Sequence, residues 1–220
     1  MKKCLLVISL FAMTTIAVMA QQITIKFGVK AGLNISGAQV DNAGYISGVD
    51  VDVNSRAGGY AGGYARIPLV EKLTLQPELL YSLQGVKRKA SYMGLYSSKE
   101  TFSLSYINIP VMLQYEFVKG FRGEFGPQFG FLVAARDKWS EGGVFVNLFP
   151  EGEHSGSENV KNWFKTFDFG LNLGLNYELD NGLNFGVRYN LGLTNIAKGS
   201  SDEGGKVHNG AFSVGLGYTF

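Results

Sequence analysis

The sequence is poor in the residues on which most site chemistry depends. One cysteine, Cys4, and two histidines, His154 and His208, occur in 220 residues. That excludes a disulfide framework and a multi-cysteine metal centre, and the two histidines do not stand at metal-ligand spacing. Charged residues make up 17% of the chain, where about a quarter is usual. No block of like charge marks a nucleic-acid surface, and no phosphate-loop pattern is present. The stretch DVDVNS at Asp50 to Ser55 has the opening of a calcium loop, but Ser55 stands where the glycine belongs and Ala61 where the closing glutamate belongs. No cofactor is expected.

Long apolar runs are also scarce. The one present, Leu5 to Val18, is interrupted by Ser9, Thr14 and Thr15, follows Lys2 and Lys3, and gives way to Ala20 and Gln21. It is shorter than the ~20 residues of a spanning helix and reads as a secretory signal peptide over residues 1–20, leaving residues 21–220 as one domain. Cys4 lies before the apolar core, unlike a lipoprotein cysteine, and leaves with the signal. Loss of Lys2 and Lys3 brings basic and acidic residues to equal number.

What the chain does have is glycine, at 30 residues, aromatics, at 13%, and alternation. From Ile25 to Ile35 the odd positions are apolar and the even positions are Lys26, Gly28, Lys30, Gly32 and Asn34. The same period of two runs through Leu73 to Leu83, Ile107 to Phe117, Phe121 to Val133, Phe167 to Leu179, Leu183 to Leu193 and Phe212 to Phe220. A period of two held this long means half-buried strands. A weaker strand is read at Arg56 to Ile67, with its facing undecided. Pro77, Pro110 and Pro127 fall inside strands, where bulges or bends are expected. Phe102, Leu104 and Tyr106 have the opposite parity from Ile107 onward; either a bulge sits near Tyr106 or this stretch lies above the bilayer.

Short links at Pro68 to Lys72, Val118 to Gly120 and Asp180 to Gly182 alternate with long ones at Ser36 to Ser55, Val86 to Thr101, Ala134 to Thr166 and Asn195 to Asn209. The sum is an all-β, eight-stranded, antiparallel up-and-down transmembrane β-barrel with tight periplasmic turns and long outer loops. A soluble barrel with its apolar face inward fits less well. The nearly unbroken Phe, Leu and Tyr face would overfill an eight-strand interior. The glycine-rich face carries Lys30, Glu78 and Arg188, and Arg or Lys turned to lipid at mid-membrane would cost ~2–4 kcal/mol each. The alternating end FSVGLGYTF is then the strand that pairs with the first and closes the edge, which lipid does not tolerate open.

Four stretches carry a family resemblance: FGVKAGLNIS at Phe27 to Ser36, LTLQPELLYSLQG at Leu73 to Gly85, YINIPVMLQYEF at Tyr106 to Phe117 and GPQFGFLVAA at Gly126 to Ala135. With them the chain resembles the Bacteroidota outer-membrane β-barrel proteins called PorT-like or porin-family. The resemblance implies a small barrel of the bacterial outer membrane, with outer-membrane lipid around it. It also implies that the barrel-assembly machinery reads the last strand, ending in Phe220.

The inward charges, including Lys30, Glu78, Glu124, Asp168 and Arg188, form either a conducting path or an ion-paired plug. Eight strands leave little room for water, which favours the plug. Loop aromatics Tyr92, Tyr96, Trp139, Phe145, Phe149 and Trp163 are a candidate surface for an extracellular protein or glycan, or else they pack together or join the interfacial belt. His154 and His208 lie in long loops, with Glu153, Ser155 and Ser157 near His154. The function expected is a structural or interaction barrel without catalysis. A small porin and an outer-rim enzyme are the alternatives, and nucleic acid is not an expected partner.

Overall fold

Alternation becomes geometry in a ring of paired strands. The computed structural model describes residues 24–40, 49–92, 95–148, 154–198 and 207–220; the expected signal peptide lies outside them. The elements are β1 (Lys26–Val40), β2 (Val49–Val70), β3 (Leu73–Tyr92), β4 (Tyr96–Val118), β5 (Phe121–Gly142), a one-turn helix α1 (Val144–Leu148), β6 (Ser155–Asn159), a 3-10 turn (Lys161–Trp163), β7 (Phe167–Glu178), β8 (Leu183–Asn195) and β9 (Val207–Thr219). All pairings are antiparallel. β1 to β5, β7, β8 and β9 pair in succession, and β9 returns to β1 from Gly28↔Thr219 to Val40↔Val207. The ring is therefore eight-stranded and closed. Phe220 N–H adds a last bond to the Phe27 carbonyl at 2.8 Å. The ninth strand, β6, is an addition: it pairs only with the upper part of β5, Arg136 to Ser140.

The apolar positions face out. Leu33 is 67% exposed, Leu173 66% and Phe220 72%, values that only a lipid surrounding makes sensible. Aromatics gather at two heights on this surface. Tyr115, Phe117 and Phe121 stack near the tight turns, as do Tyr218 and Phe220. Phe129 and Phe131 meet Phe169 and Phe167 near the other end of the belt. β2 is the exception. Its outward positions are Ala57, Gly59, Ala61, Gly63 and Ala65, which leave a groove between Phe27 and Val29 of β1 and Leu79 and Tyr81 of β3. Tyr60, Tyr64 and Arg66 point into the lumen. That settles the facing of this strand, whose two faces differ too little in hydrophobicity for the sequence to decide it.

Three expectations change. The links Val86 to Thr101 and part of Ala134 to Thr166 are not loops. β3 and β4 stay paired to Tyr92↔Tyr96, and β4 and β5 to Ser97↔Gly142. Asp50 to Ser55 lies within β2, paired with β3, and not in a calcium-type loop. Together with β6 these extensions make a five-stranded sheet standing above the barrel on one side. The prolines interrupt ladder pairs without shifting register: Pro77↔Val111 and Leu80↔Asn108 keep one alignment, as do Pro110↔Gln128 and Leu113↔Phe125. The bulge near Tyr106 sits on the partner strand instead. Ser105 pairs with Ala134 and Tyr106 with Leu132, which leaves Val133 of β5 as the extra residue. β4 runs on undisturbed, so Leu104 and Tyr106 face the barrel mouth.

Candidate functional site

The inward face of an eight-stranded ring has to fill a narrow bore with side chains that small residues leave room for. Here the filling is layered. In the middle layer Arg188 of β8 sends Nη1 and Nη2 to the two carboxylate oxygens of Glu78 on β3, both at 2.8 Å, and Nε to Glu124 on β5 at 2.7 Å. Lys30 of β1 donates to Glu78 Oε1 at 3.1 Å, Gln76 to the same oxygen at 2.7 Å, and Gln114 to Glu124 at 3.0 Å. Two cations meet two carboxylates, and the fork of Arg188 grips Glu78 in the bidentate geometry that makes such pairs strong. The register places Gly174 between Glu124 and Arg188. A Cβ there would stand 2.7 Å from Glu124 Oε1 and 2.6 Å from the Val187 carbonyl, so only glycine leaves the pair its path.

A second layer lies toward the tight turns. Arg122 donates through Nε to Glu116 at 3.0 Å and through Nη1 to Glu178, and Arg66 reaches Glu178 from the opposite wall. Arg66 Nε also donates to Gln76 at 2.8 Å. Gln76 thus joins the layers, accepting from Arg66 and donating to Glu78. Below them Tyr64, Thr219 and Asn184 share hydrogen bonds of 2.9 and 3.0 Å. Each layer is electrically balanced within itself.

Little space remains between the side chains. Above Arg188 a cavity of ≈ 30 Å³ is lined by Asn34, Tyr60, Ser82, Asn108, Asn172 and Asn190. A second, of ≈ 10 Å³, lies beside Lys30 and Glu124. These hold about two waters and one water at most. Higher still, the bore turns apolar. Leu104, Tyr106, Leu132, Ala135, Val160 and Ile196 form a buried cluster, with Phe102, Phe164 and Val207 against it. Val160 and Phe164 come from the segment between β6 and β7, folded over the mouth, and Phe164 bridges to Ala197.

Of the predicted lumen residues, Lys30, Glu78, Glu124 and Arg188 meet. Asp168 does not: it is buried near the mouth, on the rung opposite Gly130, and its Oδ1 has no hydrogen-bond partner among the described residues. Lys26 is exposed at the turn-side rim. The loop aromatics scatter. Tyr92 and Tyr96 pair at the tip of the β3–β4 hairpin, Trp139 is a strand residue of β5 packed over Gly156 of β6, and Trp163 is 54% exposed on the 3-10 turn. Phe145 falls in α1, and Phe149 lies outside the described residues. His154 Nδ1 is 3.9 Å from Glu141, while Ser155 and Ser157 are exposed on β6. No group of three or more metal-ligating side chains occurs among the described residues.

Sequence reasoning missed the lower layer's Arg66, because the facing of β2 was open, and missed the cap, because its parity looked like an irregularity. It also passed over the extracellular sheet, whose outer face on β3 to β5 carries only basic charge. The inward positions on β4 to β6 include Glu100, Asp137, Glu141 and Glu158. Burial, with Glu100 and Glu158 close by, pushes the Asp137 carboxyl above its ordinary range despite backbone hydrogen bonds at Thr101 and Lys138.

Residues 19–198 match the family described as outer membrane protein beta-barrel domain. Among solved structures the chain is similar to Neisserial surface protein A, at 16% identity and a TM-score of 0.48, covering 88% of this chain and 97% of that one. It is also similar to Ail, the attachment invasion locus protein of Yersinia pestis, at 15% identity and a TM-score of 0.46, covering 89% and 98%. OprG from Pseudomonas aeruginosa follows at 15% identity and a TM-score of 0.38, covering 89% and 95%. No curated protein matches the chain. The family match, which spans most of the sequence, carries the assignment.

Proposed function

The chain belongs to the outer membrane protein beta-barrel domain family, and from that premise we propose that it is a plugged, non-catalytic barrel of the bacterial outer membrane. Its work is structural or interactive and is done by the sheet it holds above the bilayer. One observation carries this reading: among the described residues the bore is filled by two self-neutralised ion-pair layers under an apolar cap, and the cavities beside Arg188 measure ≈ 30 and ≈ 10 Å³. An ion crossing it would have to break Arg188 from both Glu78 and Glu124, and a buried pair parted from one partner costs about 3–5 kcal/mol.

Within the family we place the chain with the PorT-like proteins of Bacteroidota, on the four stretches that resemble them. The alternating last strand with Phe220 is the segment we expect the assembly machinery to engage. An extracellular protein or glycan is the partner class that suits the exposed sheet and Trp163. Ail has been crystallised with the heparin analogue sucrose octasulfate, and an anionic ligand of that kind belongs among the partners to try.

The test is single-channel recording of the refolded mature chain in planar bilayers, with heat-modifiable gel migration to verify folding. The expected trace has no discrete openings. Steady openings whose size changes with Arg188→Ala would make the inward charges a pore lining and overturn the plugged reading in favour of the small porin.

A further inference from the structure

We infer that the outer face of the extracellular sheet binds the phosphorylated headgroups of anionic glycolipid in the outer leaflet. This inference rests on the barrel's place in the membrane and not on closure of its lumen, so the two stand or fall separately.

The same strands that carry the lipid belt carry this face. Outward positions on β3 run Leu79, Tyr81, Leu83, then Lys87 and Lys89; on β4 they run Ile109, Ile107, then a hydroxyl lane of Ser105, Ser103 and Thr101, then Lys99; on β5 they run Phe129, Phe131, Val133, then Arg136 and Lys138. The apolar run has ended on all three strands by the rung of Leu83, Ser105 and Ala134, and the basic residues occupy the next three rungs: Arg136, then Lys87 with Lys138, then Lys89 with Lys99. Lys87 is four residues beyond Leu83, ~13 Å along the strand. With strands tilted by about 40° the rise is about 10 Å, at the level of the polar headgroups when the belt below sits in acyl chains.

On this face five basic residues of β3 to β5 outnumber Asp52 of β2, the direct cross-strand partner of Lys89. Lys87, Lys89, Lys99, Arg136 and Lys138 are all exposed, and none forms an ion pair with another described residue. Lys89 and Lys99 are direct cross-strand partners. Like charges placed so are destabilising in a sheet left to itself. The other face of the same two strands does the opposite, setting Arg88 against Glu100 at 3.8 Å. The outer face of β3 to β5 carries no carboxylate of its own, so an external anion is what relieves its excess of positive charge. Lysines meet phosphate as point charges and Arg136 can meet it bidentately, while the serine and threonine hydroxyls of β4 suit the sugar that bears it. Polybasic surfaces gain about fivefold in affinity for an anionic bilayer with each Lys or Arg near it.

The experiment uses the folded mature chain in nanodiscs of phosphatidylcholine alone, with added lipid A, or with lipid A stripped of its phosphates. Retained glycolipid is counted by native mass spectrometry after detergent release. Wild type is expected to retain lipid A and not the dephosphorylated form. The variant Lys87→Gln/Lys99→Gln/Lys138→Gln is expected to bind it on the order of a hundredfold more weakly, with heat-modifiable migration unchanged, and the matching Lys→Arg variant to keep it. Equal retention of both glycolipids, or by wild type and the Gln variant, would overturn the inference. So would displacement of the lipid by millimolar inorganic phosphate, which would make the ligand a free anion, or preference for a soluble sulfated polysaccharide over lipid A.

Discussion

Glu78 accepts hydrogen bonds from Lys30, Gln76 and both terminal nitrogens of Arg188, so its loss leaves Lys30 without its carboxylate partner and Arg188 with Glu124 alone in a bore that has little room for water. Glu78→Gln is expected to lower stability by about 3–5 kcal/mol, read by urea unfolding in lipid vesicles. Glu78→Gln combined with Arg188→Gln should cost less than the two single changes together, because the charge left over is removed with its partner. Asp137 predicts a pH effect of opposite character. Its raised pKa means that the folded sheet holds the proton more tightly than the unfolded chain does. That advantage is present at low pH and is lost as pH rises through the ordinary aspartate range and beyond. Asp137→Asn should therefore match wild type near pH ~3 and become the more stable protein toward neutrality. Hydrogen exchange of the upper β4 and β5 amides would register the difference.

At the scale of the strand, the lipid-facing stretches were legible because one face is apolar and the other is not. That contrast is the signal, and it fades or inverts outside the bilayer. From Val86 to Thr101 neither face is apolar: Lys87, Lys89 and Lys99 lie on one side and Arg88 and Glu100 on the other. The strand continues, but hydrophobicity no longer records it; the sorting of charge does. At Leu104 and Tyr106 the contrast inverts because the interior becomes an apolar cap while the exterior turns to serine, so a parity change in the sequence marks a change of surroundings and not of the strand. The cap can be tested alone. Leu132 is 1% exposed within it, and Leu132→Ala should cost ~2–5 kcal/mol. Exchange should quicken at Val160 and Ile196 and stay slow around Arg188.

At the scale of the whole barrel, facing could be read from the sequence but height could not. Lys30, Glu78, Glu124, Asp168 and Arg188 all point inward, yet which of them meet depends on the stagger of strands distant in the chain. Glu124, Gly174 and Arg188 share a rung, while Asp168 is six residues up β7 from it. No spacing within one strand encodes that offset. The facing of β2 was hidden for a different reason: alanines and glycines on its lipid side and tyrosines inside reverse the usual difference in bulk.

The middle layer has a consequence for how the molecule is made. Its four charges come from β1, β3, β5 and β8, and no two of these strands are neighbours in the ring. Paired hairpins can bring Arg188 to Glu124 across β7 and Lys30 to Glu78 across β2. The grip of Arg188 on Glu78 joins β8 to β3, and it waits for the moment when β9 zips onto β1 and the walls face one another. The last step of assembly is thus also the step that completes the ion pairing of the interior. A chain that stalls one strand short carries unfinished ion pairing as well as an open edge, two marks by which a quality-control protease could tell it from the finished barrel.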